Sequence, residues 1–363
     1  MIRPEPYTGP APTPVQRSTD LSTSVEALLR GESLLVTDLY STGLSLLAAL
    51  RIALKTPGPS FAEQREYRRR YQAASSNLLA PIRDHHLALR KAPAIGWFSE
   101  MYADLPTFEL PFPQIQGLNS SWQWYQKGLR LPVIKRRLHP IHGTYFPTRH
   151  EHLHLLDRWL RRYSGARERA IDVGTGCGVL ALQLHAAGFS EIVATDINEN
   201  AIEGLRRDLA RDPPITTIET RKTWMIGPVG SRFDLIVFNP PWLPGTPKGL
   251  LDQAIYYPPR LFDDFFAAAW RALRPEGRLV LLFSNLLQEV SINTEGDRSQ
   301  KPASHPNKHP IIRELKRRKR FEKVRLLERP VGAASKKTRR RKRTNTGERV
   351  QLWELRRRSG GGA

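Results

Sequence analysis

Between about residue 150 and residue 285 the chain alternates short apolar runs with helical stretches, and no other feature limits the fold as much. RAIDV (169–173) reads as a buried strand, GTGCG (174–178) as a tight turn, and VLALQLHAAG as a helix closed by Gly188. EIVATD (191–196) is a second strand, and ENAIEGLRRDLARD (199–212) a second helix, stopped by Pro213 and Pro214. ITTIET and FDLIVFN read as the third and fourth strands, RLFDDFFAAAWRAL as a helix and GRLVLLF as the fifth strand. Strand–helix alternation at this spacing predicts a parallel, doubly wound α/β sheet whose ligands sit at the carboxyl ends of the strands. FEKVRLLERPV and RVQLWELRR add two strands, which makes seven.

Three of the strand ends carry chemistry. The first runs from Asp172 into Gly174, Thr175, Gly176, Cys177 and Gly178. Glycines there let backbone approach a ligand closely and take positive φ. The second strand ends in Asp196, about 20 residues on, where a carboxylate can accept both hydroxyls of a ribose. The spacing G-x-G-x-G, with Val179 where a dinucleotide site has its third glycine, argues against a nicotinamide cofactor. Cys177 meets a steric need, since nothing beside it would lower its pKa. The fourth strand breaks into Asn239, Pro240, Pro241 and Trp242, an elbow beside the glycine turn. Its plainer reading is a strand terminator with a core tryptophan.

In this order and spacing, the turn and elbow resemble the class I S-adenosylmethionine-dependent methyltransferases over roughly residues 140–285, and LRPEGRLVLLF resembles that family's turn into its fifth strand. The resemblance implies a Rossmann-like seven-stranded methyltransferase sheet. It implies that Gly174 and Gly176 border the methionine part of S-adenosyl-L-methionine, that Asp172 holds the turn, that Asp196 binds the ribose, and that Thr175, Gly178, Ile197 and Asn239 also belong to the cofactor site. TRKTWMIG has no acid where relatives often carry one near adenine, which leaves backbone N–H groups or Trp224 for that contact. Asn-Pro-Pro-aromatic resembles the signature of enzymes that methylate an sp² amino nitrogen, either a base amine or a glutamine amide. Such a nitrogen is a weak nucleophile. The Asn239 side-chain oxygen and the Pro240 carbonyl would each take one of its hydrogens, and proline fixes the carbonyl direction. Trp242 offers a face for stacking. HGTYFPTRHEHLHLLDRWL resembles the stretch before the first strand in release-factor glutamine methyltransferases, and Tyr145 is expected near the substrate. The acidic-Thr pair of that family is replaced by Glu151 and His152.

HEHLH, His150 to His154, matches H-E-x-x-H, but five of the ten histidines crowd into 139–154, where such a match arises easily, so no metal is expected.

The net charge of +22 is unevenly distributed. Residues 301–363 hold 22 Lys+Arg against 5 Asp+Glu, and the preceding 300 are nearly balanced. The excess is densest between the last two strands, where Lys336, Lys337, Arg339, Arg340 and Arg341 belong to a basic loop (331–348) with no apolar pattern. Together with SWQWYQKGLRLPVIKRRLHP, which reads equally well as a domain-packing surface, this predicts a polyanionic partner, nucleic acid or a ribosome-associated substrate. The remaining domain expectations are a disordered Pro-rich segment (1–20), a mainly helical N-terminal domain (21–130) concerned with substrate, a methyltransferase domain (131–357) and a flexible end (358–363). Residues 21–92 read as helical, ELPFPQIQG as extended and 286–309 as a loop. No run of about 18 apolar residues argues for a membrane span. One cysteine and no apolar leader argue for the cytoplasm.

The combined expectation is methylation of an exocyclic base amine in ribosomal or transfer RNA before DNA. The alternatives are a protein glutamine methyltransferase and a non-enzymatic RNA-binding protein on a methyltransferase scaffold.

Overall fold

The structure is a computed structural model that describes residues 1–55, 61–211, 213–228, 232–245, 249, 251–285, 309–332 and 348–358. Most of the basic loop and of the stretch expected as a loop at 286–309 lies outside the described residues, as do 359–363. The chain divides into two units, Met1–Lys127 and Gly128–Ala363.

The first unit combines helices, which hold most of its regular structure, with a sheet that the sequence reading did not include. It comprises β1 (Thr13–Val15), α1 (Leu21–Arg30), β2 (Leu34–Val36), α2 (Tyr40–Ala53), α3 (Phe61–Ser75), β3 (Leu78–Arg83), β4 (His86–Leu87), α4 (Trp97–Met101), β5 (Phe108–Pro111) and α5 (Phe112–Lys127). Its described strands form a five-stranded sheet in the order β1-β2-β3-β4, with β5 on β3. The helical reading of 21–92 holds for α1, α2 and α3 and fails at β2 and β3, which are short and buried at nearly every position, so they show no alternation. The extended reading of ELPFPQIQG failed at Phe112. Pro113 stands in the first turn of α5, where no partner is needed for its missing N–H. Residues 1–20 are ordered rather than disordered. β1 pairs in parallel with β2, the Tyr7 N–H donates to the Glu109 carbonyl at 2.8 Å, and the Tyr102 hydroxyl donates to the Pro4 carbonyl at 2.6 Å. Prolines suit an edge strand, and the tyrosines supply anchors that composition does not reveal.

The second unit begins with α6 (Glu151–Leu160) and continues through β6 (Arg169–Val173), α7 (Val179–Ala186), β7 (Glu191–Asp196), α8 (Glu199–Leu209), β8 (Ile218–Lys222), β9 (Phe233–Phe238), β10 (Leu243–Pro244), β11 (Tyr256–Tyr257), α9 (Leu261–Ala272), β12 (Leu273–Ser284), β13 (Phe321–Pro330) and β14 (Arg349–Arg357). A helical turn, Pro310–Arg313, precedes β13. Among the described residues the sheet has seven strands, in the order β13-β14-β12-β9-β6-β7-β8. Neighbours from β12 to β8 are parallel, and β14 runs antiparallel to both β12 and β13. The third strand lies at 218–222, three residues beyond its expected start, because Thr216 and Thr217 have β character but the pairing with β7 begins at Ile218.

Every residue of β9 is buried. Leu235 and Val237 join the cluster under α6, α7 and α8, while Ile236 and Phe238 join the cluster under α9, so the sheet is covered on both faces. Asp234 is the polar exception and is satisfied. Its Oδ2 accepts from the Glu168 and Arg169 N–H groups, and its Oδ1 pairs with Arg274 at 2.7 Å. From β6 the chain first moves outward through β7 and β8, then returns to place β9 on the other side of β6. That reversal opens a crevice at the carboxyl ends of β6 and β9.

Candidate functional site

The glycine turn after β6 is held from three sides. The Thr175 N–H donates to the Thr195 carbonyl at 2.8 Å, the Gly176 N–H to Asp196 Oδ2 at 2.9 Å, and the Cys177 N–H to the Tyr145 carbonyl at 3.1 Å. Gly176 has a φ of 52°, and a Cβ there would lie 2.9 Å from the Tyr145 oxygen, so this position admits only glycine. Tyr145, expected near the substrate, thus has a backbone duty at the turn as well as a half-exposed ring on the cavity. Below the turn, Asp172 is fully buried. Its Oδ2 accepts from the Thr175 hydroxyl at 2.6 Å and from the Ala181 N–H at 3.0 Å, which ties the turn to the first helical residues of α7. Burial, with Asp196 nearby as a smaller cause, pushes the Asp172 carboxyl up to about 7.

Asp196 ends β7 with its Oδ1 accepting from the Asn198 N–H at 2.8 Å and its Oδ2 from Gly176. Burial raises its pKa, and these backbone donors oppose the rise. Each oxygen keeps lone-pair capacity on the side facing the cavity. Ile197 beside it is 47 % exposed and Trp224 48 % exposed, two apolar surfaces left open at the same cavity.

Across the crevice, β9 delivers Asn239. Pro240 and Pro241 are buried, and Asn239 and Trp242 are partly exposed. The Trp242 indole N–H donates to Asn239 Oδ1 at 3.2 Å and shares its hydrogen with the Leu282 carbonyl at 3.3 Å. An indole nitrogen is a donor only, so this bond sets which amide atom of Asn239 is the oxygen and leaves that oxygen a second lone pair. The Trp242 ring meets His152 edge-on, with centroids 6.2 Å apart at 86°. His152 is buried, its Nδ1 has no hydrogen-bond partner among the described residues, and burial lowers its pKa to about 4, so the ring is neutral.

One cavity of about 280 Å³ joins these parts: the glycine turn, Asp196, Ile197, Trp224, the elbow 239–242, Tyr145 and His152 all line it. Gly178 and Asp172 are not among its lining residues. Gly178 starts α7 with a φ of 84°, and a Cβ there would strike Leu205 at 2.3 Å, so it serves helix packing. Pro147 and His152, noted in the sequence only as parts of the family-like stretch and given no site role, also line the cavity, as does Ile255, which the sequence did not single out. The histidine was hidden inside HEHLH. His150 precedes α6, Glu151 accepts the Gly332 N–H at 3.0 Å, and among the described residues no group of three or more His, Cys, Asp or Glu is placed to hold a metal.

The start of α6 also holds the roots of the basic loop. Glu151 bonds Gly332, and Arg149 pairs at 3.0 Å with Glu348, whose side chain is 5 % exposed. Val331 donates to the Glu348 carbonyl and closes the hairpin there. Lys336, Lys337, Arg339, Arg340 and Arg341 lie outside the described residues.

Residues 154–295 match the family model of the methyltransferase small domain. The chain is 32 % identical over 148 residues to a release factor glutamine methyltransferase of Deinococcus radiodurans, covering 40 % of this chain and 49 % of that protein. It is 27 % identical over 153 residues to a tRNA1(Val) (adenine(37)-N6)-methyltransferase of Parabacteroides distasonis, covering 40 % and 63 %. The chain therefore spans about half to under two-thirds of the length of these curated relatives. Among solved structures, a ribosomal protein L11 methylase from Lactobacillus delbrueckii subsp. bulgaricus aligns at 19 % identity and a TM-score of 0.40, covering 63 % of this chain and 91 % of that one. No helix among the described residues is long and apolar enough to cross a membrane.

Proposed function

We propose that this chain, whose residues 154–295 form a methyltransferase small domain, transfers a methyl group from S-adenosyl-L-methionine to an exocyclic amino nitrogen of an RNA base. The observation that carries the reading is the single cavity shared by the glycine turn, Asp196 and the Asn-Pro-Pro-Trp elbow. The donor set suits the cofactor: a carboxylate with spare acceptor capacity for ribose hydroxyls, apolar Ile197 and Trp224 for adenine, and glycine backbone for the methionine end. When bound, the cofactor supplies a methyl carbon on a sulfonium leaving group, so the nitrogen lone pair forms the N–C bond as the C–S bond breaks.

The chain's own task is then to present a poor nucleophile. The second lone pair of Asn239 Oδ1 and the Pro240 carbonyl accept the two amino hydrogens and aim the nitrogen lone pair. Trp242 keeps the amide from flipping, and its ring with neutral His152 bounds the acceptor side. His152, neutral and buried, adds no positive charge opposite a sulfonium. The extra proton leaves to solvent, since methylation turns the amine into a strong acid and no general base is needed. The net charge of +22 supports a polyanionic substrate in the cytoplasm, and the tRNA-modifying relative supports RNA.

A second reading, a glutamine amide of a protein, is favoured by the relative named for release factors. Methyl-labelled cofactor with purified chain, offered total RNA or release factors, decides between them. Label in RNA, traced by nuclease digestion to a base amine, is expected. Label only in protein would replace the reading with the glutamine one, and cofactor binding with no label in either would favour a non-enzymatic RNA binder.

A further inference from the structure

The first unit carries a charged surface that the cavity does not use. α3 reads FAEQREYRRRYQAAS, and from Glu63 to Ala73 every side chain is exposed or half-buried. Its seat is narrow. Tyr67 and Tyr71, one turn apart, stack at 6.3 Å and 8°, and Ala74 is buried on the same side of the helix. Arg51 of α2 lies 5.1 Å over the Tyr71 ring, which ties that stripe to the neighbouring helix. The opposite face is arginine. At about 100° per residue, Arg68, Arg65 and Arg69 fall within an arc of about 100°.

All three are exposed. Arg69 forks onto Glu66 at 2.6 and 2.8 Å yet stays 67 % exposed. The Arg68 Nε donates to the Gln64 carbonyl, and among the described residues no carboxylate pairs with Arg65 or Arg68. Like charges three and four residues apart weaken a helix. A surface needed only for solubility is served better by alternating signs. An arginine row suits planar oxyanions, which its forks can grip in pairs.

We propose that the Arg65, Arg68 and Arg69 face of α3 binds the phosphate backbone of RNA. The contact is independent of base sequence, so it sets affinity and register and leaves base choice to the cavity. The proposal rests on the reading of the substrate as RNA, and its test is a binding equilibrium that needs no turnover. The full chain is titrated with a fluorescein-labelled tRNA transcript across a salt series, followed by anisotropy. Arg65→Gln/Arg68→Gln/Arg69→Gln is expected to raise Kd about tenfold or more at low salt. It is also expected to reduce the slope of log affinity against log salt by about 2–3, at about 0.7–0.9 for each phosphate no longer neutralised. The triple lysine variant keeps most of the slope, because counterion release follows charge, and unchanged circular dichroism shows that the helix persists in both. Wild-type affinity and slope in the glutamine variant would overturn this surface while leaving the RNA reading intact. Failure of the wild-type chain to bind the transcript at any salt concentration would overturn the RNA reading and this surface with it.

Discussion

At the scale of single residues, the site turns on one hydrogen bond that the sequence does not announce. Asn-Pro-Pro-Trp tells a reader that an amide and an indole lie close. It does not tell that the indole N–H holds the amide oxygen at 3.2 Å. Trp242→Phe keeps a ring and removes the donor. The loss of one neutral hydrogen bond predicts a fall in kcat of about 2–10-fold, with cofactor Kd unchanged by calorimetry. Asn239→Ala removes the acceptor itself and is expected to cost about 10²–10³ in kcat, again with cofactor binding retained. Asp172 gives a pH prediction. Its folded value near 7 stands above the ordinary value of about 3.9, so between these the native state holds a proton that the unfolded chain has lost. Stability from this group is full at low pH and is lost as pH rises from about 4 to about 7. His152 and His309, both lowered to about 4 by burial, have the opposite sign, because the unfolded chain protonates them first as pH falls. The Asp172 contribution is therefore read as a difference. Relative to wild type, Asp172→Asn should become more stable as pH rises through that window and hold its gain above it, measured by urea unfolding at about pH 5 and about pH 8. A constant difference would remove the raised carboxyl from the account.

At the scale of elements, the sheet of the second unit was legible and the sheet of the first unit was not, for one physical reason. β6 and β7 match RAIDV and EIVATD to the residue, because parallel βα units separate apolar runs with turn residues and helices that have their own period, and the antiparallel β14 matches RVQLWELRR, an apolar run set off by the basic stretch before it. In the first unit the pairing that makes β2 a strand comes from β1 and β3, distant in sequence, and a three-residue apolar run carries no period of its own. The site follows the same division. The turn, Asp196 and the elbow stand at strand ends and were found. His152 enters the cavity from a helix whose register only packing decides. That helix start also holds the hairpin, and the strength of the hold can be measured. Arg149→Ala removes this ion pair from the Glu348 carboxylate, 5 % exposed, and is expected to cost about 1–2 kcal/mol, less than a fully buried pair because Arg149 is half in solvent. Arg149→Ala with Glu348→Gln should recover most of that loss. If the double variant is no better than the single one in urea titration, the pair does not fix the hairpin.

At the scale of the whole molecule, net charge is the property that most separates the two substrate readings. A glutamine amide in a protein needs no cation excess, whereas a nucleic acid converts each phosphate contact into salt dependence. The sequence concentrates its excess between β13 and β14, and deleting residues 334–346 removes seven basic residues and lowers the net charge from +22 to +15. The cavity proposed to hold the cofactor is lined by residues from Tyr145 to Leu261, so this deletion should leave cofactor affinity where it was. For an RNA substrate it should weaken binding at low salt far more than at high salt, because the missing term is the counterion release that salt suppresses. Every phosphate that the arm neutralises in the wild type should account for about 0.7–0.9 of the slope of log affinity against log salt. If the arm and the α3 arginines touch separate phosphates, their slope changes add in a combined variant, whereas competition for the same phosphates would make the combined change smaller than the sum. An unchanged slope after the deletion, with turnover intact, would mean that the densest charge on the chain does not touch the substrate, and the case for RNA would have to be made without it.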